Sequence, residues 1–145
     1  MEVEVEAVEQ VGDELVEAAR RLLPQLSGSA APPTAGELAG IAGHQANTLL
    51  VARSQGVVVG MLTLVMFPLA SGLRARIEDV VVDQQARGQG VGTALTRAAL
   101  DLARERGARN VDLTSRPSRV AANRLYQRLG FRPRDSNVYR FDLRG

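Results

Sequence analysis

The apolar residues of the first half change their spacing twice. Residues 2–8 set Val3, Val5 and Ala7 between Glu2, Glu4 and Glu6, the period of two that marks a strand with one wet face, most simply an edge strand. From Asp13 the period lengthens, so that Leu15, Ala18, Ala19, Leu22 and Leu23 share a helical face, with Asp13 and Glu14 near the positive helix start. Pro24 is expected to limit that helix. Residues 27–33 are small and aperiodic, a loop. Thr34-Ala35-Gly36-Glu37 then has capping-box spacing before Leu38 and Ile41, which predicts a short second helix weakened by Gly40 and Gly43. Residues 47–53 and 57–66 are apolar and β-branched on either side of Ser54-Gln55-Gly56, a hairpin signal. Residues 67–72 read as the next turn, and 73–82 as a third run. This half is a mostly antiparallel meander that supplies a twisted sheet.

The second half changes character. The strand run ending at Val82 passes into Arg87-Gly88-Gln89-Gly90-Val91-Gly92-Thr93 and a helix reaching about Arg106, with Gly107 where a left-handed cap is expected. Val91, Leu95, Ala98 and Leu102 form its apolar face, opposite Arg97, Asp101, Arg104 and Glu105. Residues 110–114 read as a strand parallel to 77–82, closing a β-α-β unit. Residues 121–129 form another helix stopped by Gly130, and 137–143 alternate as a last strand.

Composition narrows the chemistry. A chain of 145 residues is one domain by the usual prior. It has no Cys, so no disulfide frame, thiolate nucleophile or acyl-cysteine, and the single His44 builds no metal site alone. This suits a cytoplasmic location. The longest apolar segment, 57–70, is broken by Gly60, Thr63 and Pro68, so neither a leader nor a membrane span is expected. Residues 1–80 carry a formal −5 and residues 81–145 a formal +7, and Arg supplies all the basic charge because there is no Lys. Such asymmetry fits either an acidic mouth beside a seat for a polyanion or unevenly solvated faces. With aromatics at 3% and no basic stripe interleaved with them, no nucleic-acid partner is expected.

The glycine turn suits an anion, because the N–H groups of a helix's first turn lack internal acceptors and sit at the positive end of its dipole. Two phosphate motifs fail on residues. A nucleoside-triphosphate loop needs Gly-Lys, and a dinucleotide fingerprint needs a third glycine where Thr93 stands.

Arg87-Gly88-Gln89-Gly90-Val91-Gly92 resembles the acyl-CoA loop of the GNAT superfamily of N-acetyltransferases. Glu78-Asp79 precedes it, and Leu125-Tyr126 with Gly130-Phe131, after Ala122, is similar to a second signature of that family. The resemblance is close over 77–131 and loose elsewhere. It implies a single α/β (α+β) domain over 1–145: a mixed, mostly antiparallel sheet of six to seven strands, about four helices and a central β-α-β acyl-CoA unit. In that division 1–76 form N-terminal strands and acceptor-side helices, 77–131 the acyl-CoA core, and 132–145 a C-terminal strand. It also implies acetyl-CoA as cosubstrate, no metal, no membrane, and a small-molecule or peptide amine as acceptor, with homodimers common among relatives.

Residue by residue, the resemblance implies that backbone groups of Arg87, Gly88, Gln89, Gly90, Val91, Gly92 and Thr93 hold the pyrophosphate. Those of Val80, Val81 and Val82 would line the pantetheine arm. Tyr126 would protonate the departing thiolate, the other reading being an amphipathic core tyrosine. Glu78 would be the general base, the other reading a strand-end partner of Arg74 or Arg76. In an ideal strand Asp79 faces away from Glu78, but a bulge would reverse which acid meets the cleft. Relatives commonly have Asn where Arg119 stands, so Asn123, off that register, enters as a weak cofactor contact. The functional expectation is direct acetyl transfer to a primary amine in a ternary complex, the alternative a non-catalytic acyl-CoA-binding module.

Overall fold

The computed structural model describes residues 2–28 and 31–144. Strand β1 (Glu4–Ala7), helices α1 (Asp13–Leu26) and α2 (Ala35–Gly43), and strands β2 (Asn47–Ser54), β3 (Val57–Leu69) and β4 (Gly72–Val82) come first. Helix α3 (Val91–Glu105), strand β5 (Val111–Asp112) and helix α4 (Val120–Arg128) follow. The strands form one sheet in the order β1-β2-β3-β4-β5, antiparallel through β4 and parallel between β4 and β5. Contacts divide the chain into two compact units, Met1–Thr114 and Ser115–Gly145. The sheet and α1–α3 lie in the first, and α4 lies in the second.

The period-two and period-3.6 patterns meet in the first unit. Leu49 and Val51 of β2, Val58 and Met61 of β3 and Val81 of β4 pack with Leu15, Ala18, Ala19 and Leu22 of α1 and Leu38 of α2. Their strand neighbours Leu50, Leu62, Leu64, Ala75 and Ile77 are buried on the opposite sheet face. There α3 buries Val91, Leu95, Thr96, Ala99 and Ala103. The α3 stripe is rotated from the expected one: Ala98 and Leu102 are only half-buried, because the buried row follows 91, 95, 99 and 103. Gly60 sets how closely that helix approaches. A Cβ there would lie 2.8 Å from Val91 Cγ1 and 3.0 Å from Leu95 Cδ1. The Thr34–Glu37 capping box forms with both reciprocal bonds, at 3.0 and 3.1 Å.

Five expectations need correction. The described sheet has five strands, not six to seven. Residues 137–143 form no strand, for alternation selects faces but a strand exists only where an edge pairs with it. Strand β5 is Val111–Asp112 rather than 110–114. Helix α1 continues through Pro24 to Leu26: proline removes its own N–H, while Ser27 N–H still donates to the Leu23 carbonyl at 3.0 Å and Gln25 Nε2 donates to the Arg21 carbonyl at 3.1 Å. The turn expected over 67–72 is also tighter, since β3 reaches Leu69 and β4 resumes at Gly72. Among the described residues no helix is long and apolar enough to cross a membrane.

Candidate active site

Strand β4 is not regular where its acids stand. Glu78 pairs with Thr63 and Val81 with Met61, so three steps along β4 match two along β3, and Asp79 lies in the bulge with φ +51°. Aspartate is among the few side chains that tolerate this left-handed backbone. The extra residue switches faces: Ala75 and Ile77 turn away from α1, whereas Val81 joins the cluster beneath it. Glu78, across from Thr63, faces the α1 side and is exposed. Its Oε2 lies 3.3 Å from Arg76 Nε, and Arg76 Nη2 donates to Thr114 Oγ1 at 3.3 Å. Arg74 turns instead to Ser71 Oγ at 3.3 Å. The surrounding protein and the Glu78 carboxylate push the Asp79 pKa up from the ordinary aspartate value, although its side chain keeps contact with solvent. An acid so perturbed holds its proton at higher pH and is a better proton acceptor once ionised.

On its far side β4 pairs with β5 only at Ala75–Val111 and Arg76–Asp112. Among the described residues, 77–82 therefore have no strand on that edge. Val80 and Val82 are half-buried, and Val81 is 4% exposed.

A 3₁₀ turn, Gln84–Ala86, leads from β4 into the glycine segment. Gly88 has φ +79°, and Gly90, the N-cap of α3, has φ +83° and ψ 11°. No atom lies within 4 Å of a Cβ built on either, so backbone conformation rather than crowding calls for glycine there. The first intrahelical bond runs from Ala94 N–H to the Gly90 carbonyl at 2.9 Å. The N–H groups of Val91, Gly92 and Thr93 precede any helical acceptor, and Gly90 has no side chain with which to cap them. Arg87 to Gly90 are exposed while the Val91 side chain is buried, so Val91 offers only its backbone. Three aligned donors at a positive helix end form a seat for an anion.

In the second unit the C-terminal end of α4 is closed by local bonds. Leu129 is the C-cap of α4 and Gly130 follows with φ +104°. Phe131 N–H donates to the Tyr126 carbonyl at 3.0 Å and Gly130 N–H to Gln127 at 3.1 Å, the paired bonds of a Schellman motif. The hydrophobic contact that accompanies such a motif joins Tyr126 to Phe131, edge to face, with ring centroids 5.7 Å apart. The Leu-Tyr…Gly-Phe spacing therefore has a physical cause: it closes a helix and orients its tyrosine. Tyr126 is 7% exposed, and burial pushes its pKa up, with the Arg119 charge partly opposing. Asn123 Nδ2 donates to the Arg116 carbonyl at 3.0 Å, which commits one of its two amide N–H groups to the chain itself.

Glu78, Asp79, Val80, Val81, Val82 and the 87–93 loop thus fall on one continuous strand-turn-helix segment, and Tyr126 with Asn123 in the second unit. Sequence reasoning missed Gly60, which lets α3 approach the sheet, and the side chains Arg21, Gln25 and Asp83 around the turn before the loop. Asp83 alone carried a signal, as an Asx-type cap where a strand ends.

Comparison with known proteins agrees with this architecture. The model of the acetyltransferase (GNAT) family matches residues 11–131. Glucosamine 6-phosphate N-acetyltransferase of Trypanosoma brucei brucei is 36% identical over 122 residues, covering 78% of this chain and 80% of that one. N-alpha-acetyltransferase 30 of Schizosaccharomyces pombe is 40% identical over 73 residues, 50% of this chain and 48% of its own, so the chain spans about half the length of that relative. Among solved structures, one described as a transcriptional regulator from Bacillus halodurans C-125 superposes with a TM-score of 0.81 at 27% identity, covering 97% of this chain and 100% of the other. A family match across most of the chain, joined to the β4 bulge and the glycine-capped helix, makes this protein a member of the acetyltransferase (GNAT) family.

Proposed function

We propose that the protein moves an acetyl group from acetyl-CoA to a primary amine by direct attack in a ternary complex. The observation that carries this reading is the start of α3, where Gly90 leaves three aligned N–H groups uncapped at the end of β4. In this reading the N–H groups of 87–93 hold the pyrophosphate and the open edge of Val80–Val82 holds the pantetheine arm, whose thioester oxygen accepts from a strand N–H. Residues 1–76 then shape the acceptor side.

Glu78 takes the ammonium proton, directly or through water, and the freed amine attacks the thioester carbon. The C–N bond forms, the C–S bond breaks, and Tyr126 gives its phenolic proton to the departing thiolate. The raised pKa of Tyr126 fits a proton donor, since the phenol stays protonated through neutral pH. Asp79 is the second candidate for the base, its raised pKa arguing for it and its bulge position bringing it beside Glu78. With no Cys in the chain, no acyl-cysteine intermediate can form. The Trypanosoma relative is named a glucosamine 6-phosphate N-acetyltransferase and the Schizosaccharomyces relative an N-alpha-acetyltransferase, which supports a primary amine as the acceptor class.

The test is steady release of CoA thiol over a panel of polyamines, aminoglycosides, amino acids, amino-sugar phosphates and peptide N-termini. Turnover with a primary amine is expected. Tight acetyl-CoA binding with no release across the panel would leave a non-catalytic acyl-CoA-binding module. Glu78→Gln should flatten the acid limb of the pH profile, and an unchanged limb would move the base to Asp79.

A further inference from the structure

We infer that Arg21 and Gln25, near the C-terminal end of α1, are positioning residues for the glycine loop, acting through Asp83 and Gln84; this rests on the proposed reading of the loop as the acyl-CoA seat. The geometry is a two-point anchor. Arg21 Nη1 donates to Asp83 Oδ2 at 2.7 Å and Arg21 Nη2 to the Val58 carbonyl at 2.9 Å, so one guanidinium ties the end of β4 to the start of β3. One turn further, Gln25 Oε1 accepts from Gln84 N–H at 2.9 Å, while Gln25 Nε2 donates back to the Arg21 carbonyl at 3.1 Å. Both Asp83 carboxylate oxygens are engaged: Oδ1 accepts from Gln85 N–H at 3.1 Å, and the residue's own N–H donates to the Val59 carbonyl at 2.8 Å.

This pair differs from an ordinary surface ion pair. The Asp83 side chain is 13% exposed and that of Arg21 31%, the bond is short and charge-assisted, and both partners also hold backbone groups. Glu17 Oε1, one turn earlier on α1, lies 3.5 Å from Arg21 Nε.

The consequence lies four to seven residues downstream. Gly88 and Gly90 have left-handed φ angles and open space around them, so little in the loop itself restricts it. Donors that bind a phosphate through backbone N–H groups must be ordered beforehand, or binding supplies the ordering free energy. The loop is held at its far end by Val91 and Leu95 packed over Gly60, and at its near end by Arg21 and Gln25. Helix α1 thereby takes part in the cofactor seat without contributing an atom to it.

The experiment compares full-length wild type with Arg21→Gln, Arg21→Lys and Gln25→Ala. It records CoA affinity by calorimetry, amide hydrogen exchange over 84–92, melting temperature, and kcat at saturating acetyl-CoA. Arg21→Gln should weaken CoA binding about 10-fold, which is about 1.4 kcal/mol. It should also speed exchange over 84–90 while kcat at saturating acetyl-CoA stays close to wild type, as when an interaction shared by ground state and transition state is lost. Arg21→Lys, which keeps the charge and loses the fork, should recover part of the affinity. Gln25→Ala should shift affinity the same way by less, and serves if Arg21→Gln does not fold. Wild-type CoA affinity in Arg21→Gln or Gln25→Ala, whatever the melting temperature, would overturn the inference. If the wild type binds no CoA, the reading of the site falls; loop exchange then decides the anchor, which unchanged rates over 84–90 in Arg21→Gln would refute.

Discussion

Residues 77–93 and residues 131–144 each contain a run that predicts a strand, 77–82 and 137–143, yet only the first stretch becomes part of a sheet. In the first, Ile77 and Val81 are 2% and 4% exposed, β3 pairs along β4 through the bulge, and Asp83 hands the chain to a 3₁₀ turn anchored from α1. In the second, Val138, Tyr139, Phe141 and Leu143 are 77–91% exposed and no ladder forms. The difference is in partners, not in propensity. An extended segment becomes a strand when a neighbouring edge takes its N–H and C=O groups and a facing layer takes its side chains.

The widest effect should come from the helix that precedes the unpaired stretch. Tyr126→Phe is expected to lower kcat by about 10²–10⁴ with acetyl-CoA affinity unchanged. Because burial raises the Tyr126 pKa, the protonated donor persists to higher pH, so wild-type activity should not fall from its ionisation until beyond the ordinary tyrosine value. Full turnover in the variant would reduce Tyr126 to the hydrophobic partner of Phe131 in a helix cap. The comparison would then divide along chemistry, with all of it upstream of residue 93.

The packed stretch is probed next by Gly60→Val. The added carbons enter space 2.8 Å from Val91 and 3.0 Å from Leu95, and should cost about 1–3 kcal/mol in denaturant unfolding. Weaker CoA binding should accompany that loss, because the start of α3 must shift. An unchanged unfolding free energy would show that the helix start yields freely, and would remove the far anchor of the loop. The smallest effect belongs to the exposed stretch. Tyr139→Ser with Phe141→Ser should alter stability by no more than about 0.5 kcal/mol per site, as at other exposed positions. A larger loss in the same unfolding experiment would mean that these side chains are covered in solution, and the contrast between the two stretches would close.

Legibility followed the range of the interactions. The start of α1 at Asp13, the Thr34–Glu37 capping box, the 54–56 hairpin, the cap at Gly107 and the α4–Gly130–Phe131 closure were all readable, because each depends on residues within a few positions of one another. The Asp79 bulge was readable only as an alternative, since two registers satisfy the same apolar run until β3 chooses between them. The rotation of the α3 stripe toward Ala99 and Ala103 was set by the sheet beneath it.

What the chain's own composition dictates here is therefore chemical and local: a glycine-rich turn without lysine, a carboxylate pair ahead of it, a tyrosine in a capped helix, and no thiol. What only the folded molecule decides is non-local. It assigns Arg76 rather than Arg74 to Glu78, ties Arg21 to Asp83 across 62 positions of sequence, and fits α3 against a glycine in β3. The physical reason is that hydrogen bonds and packing are selected by proximity in space. A local pattern states which groups need partners, and the arrangement of sheet and helices determines which partners they find.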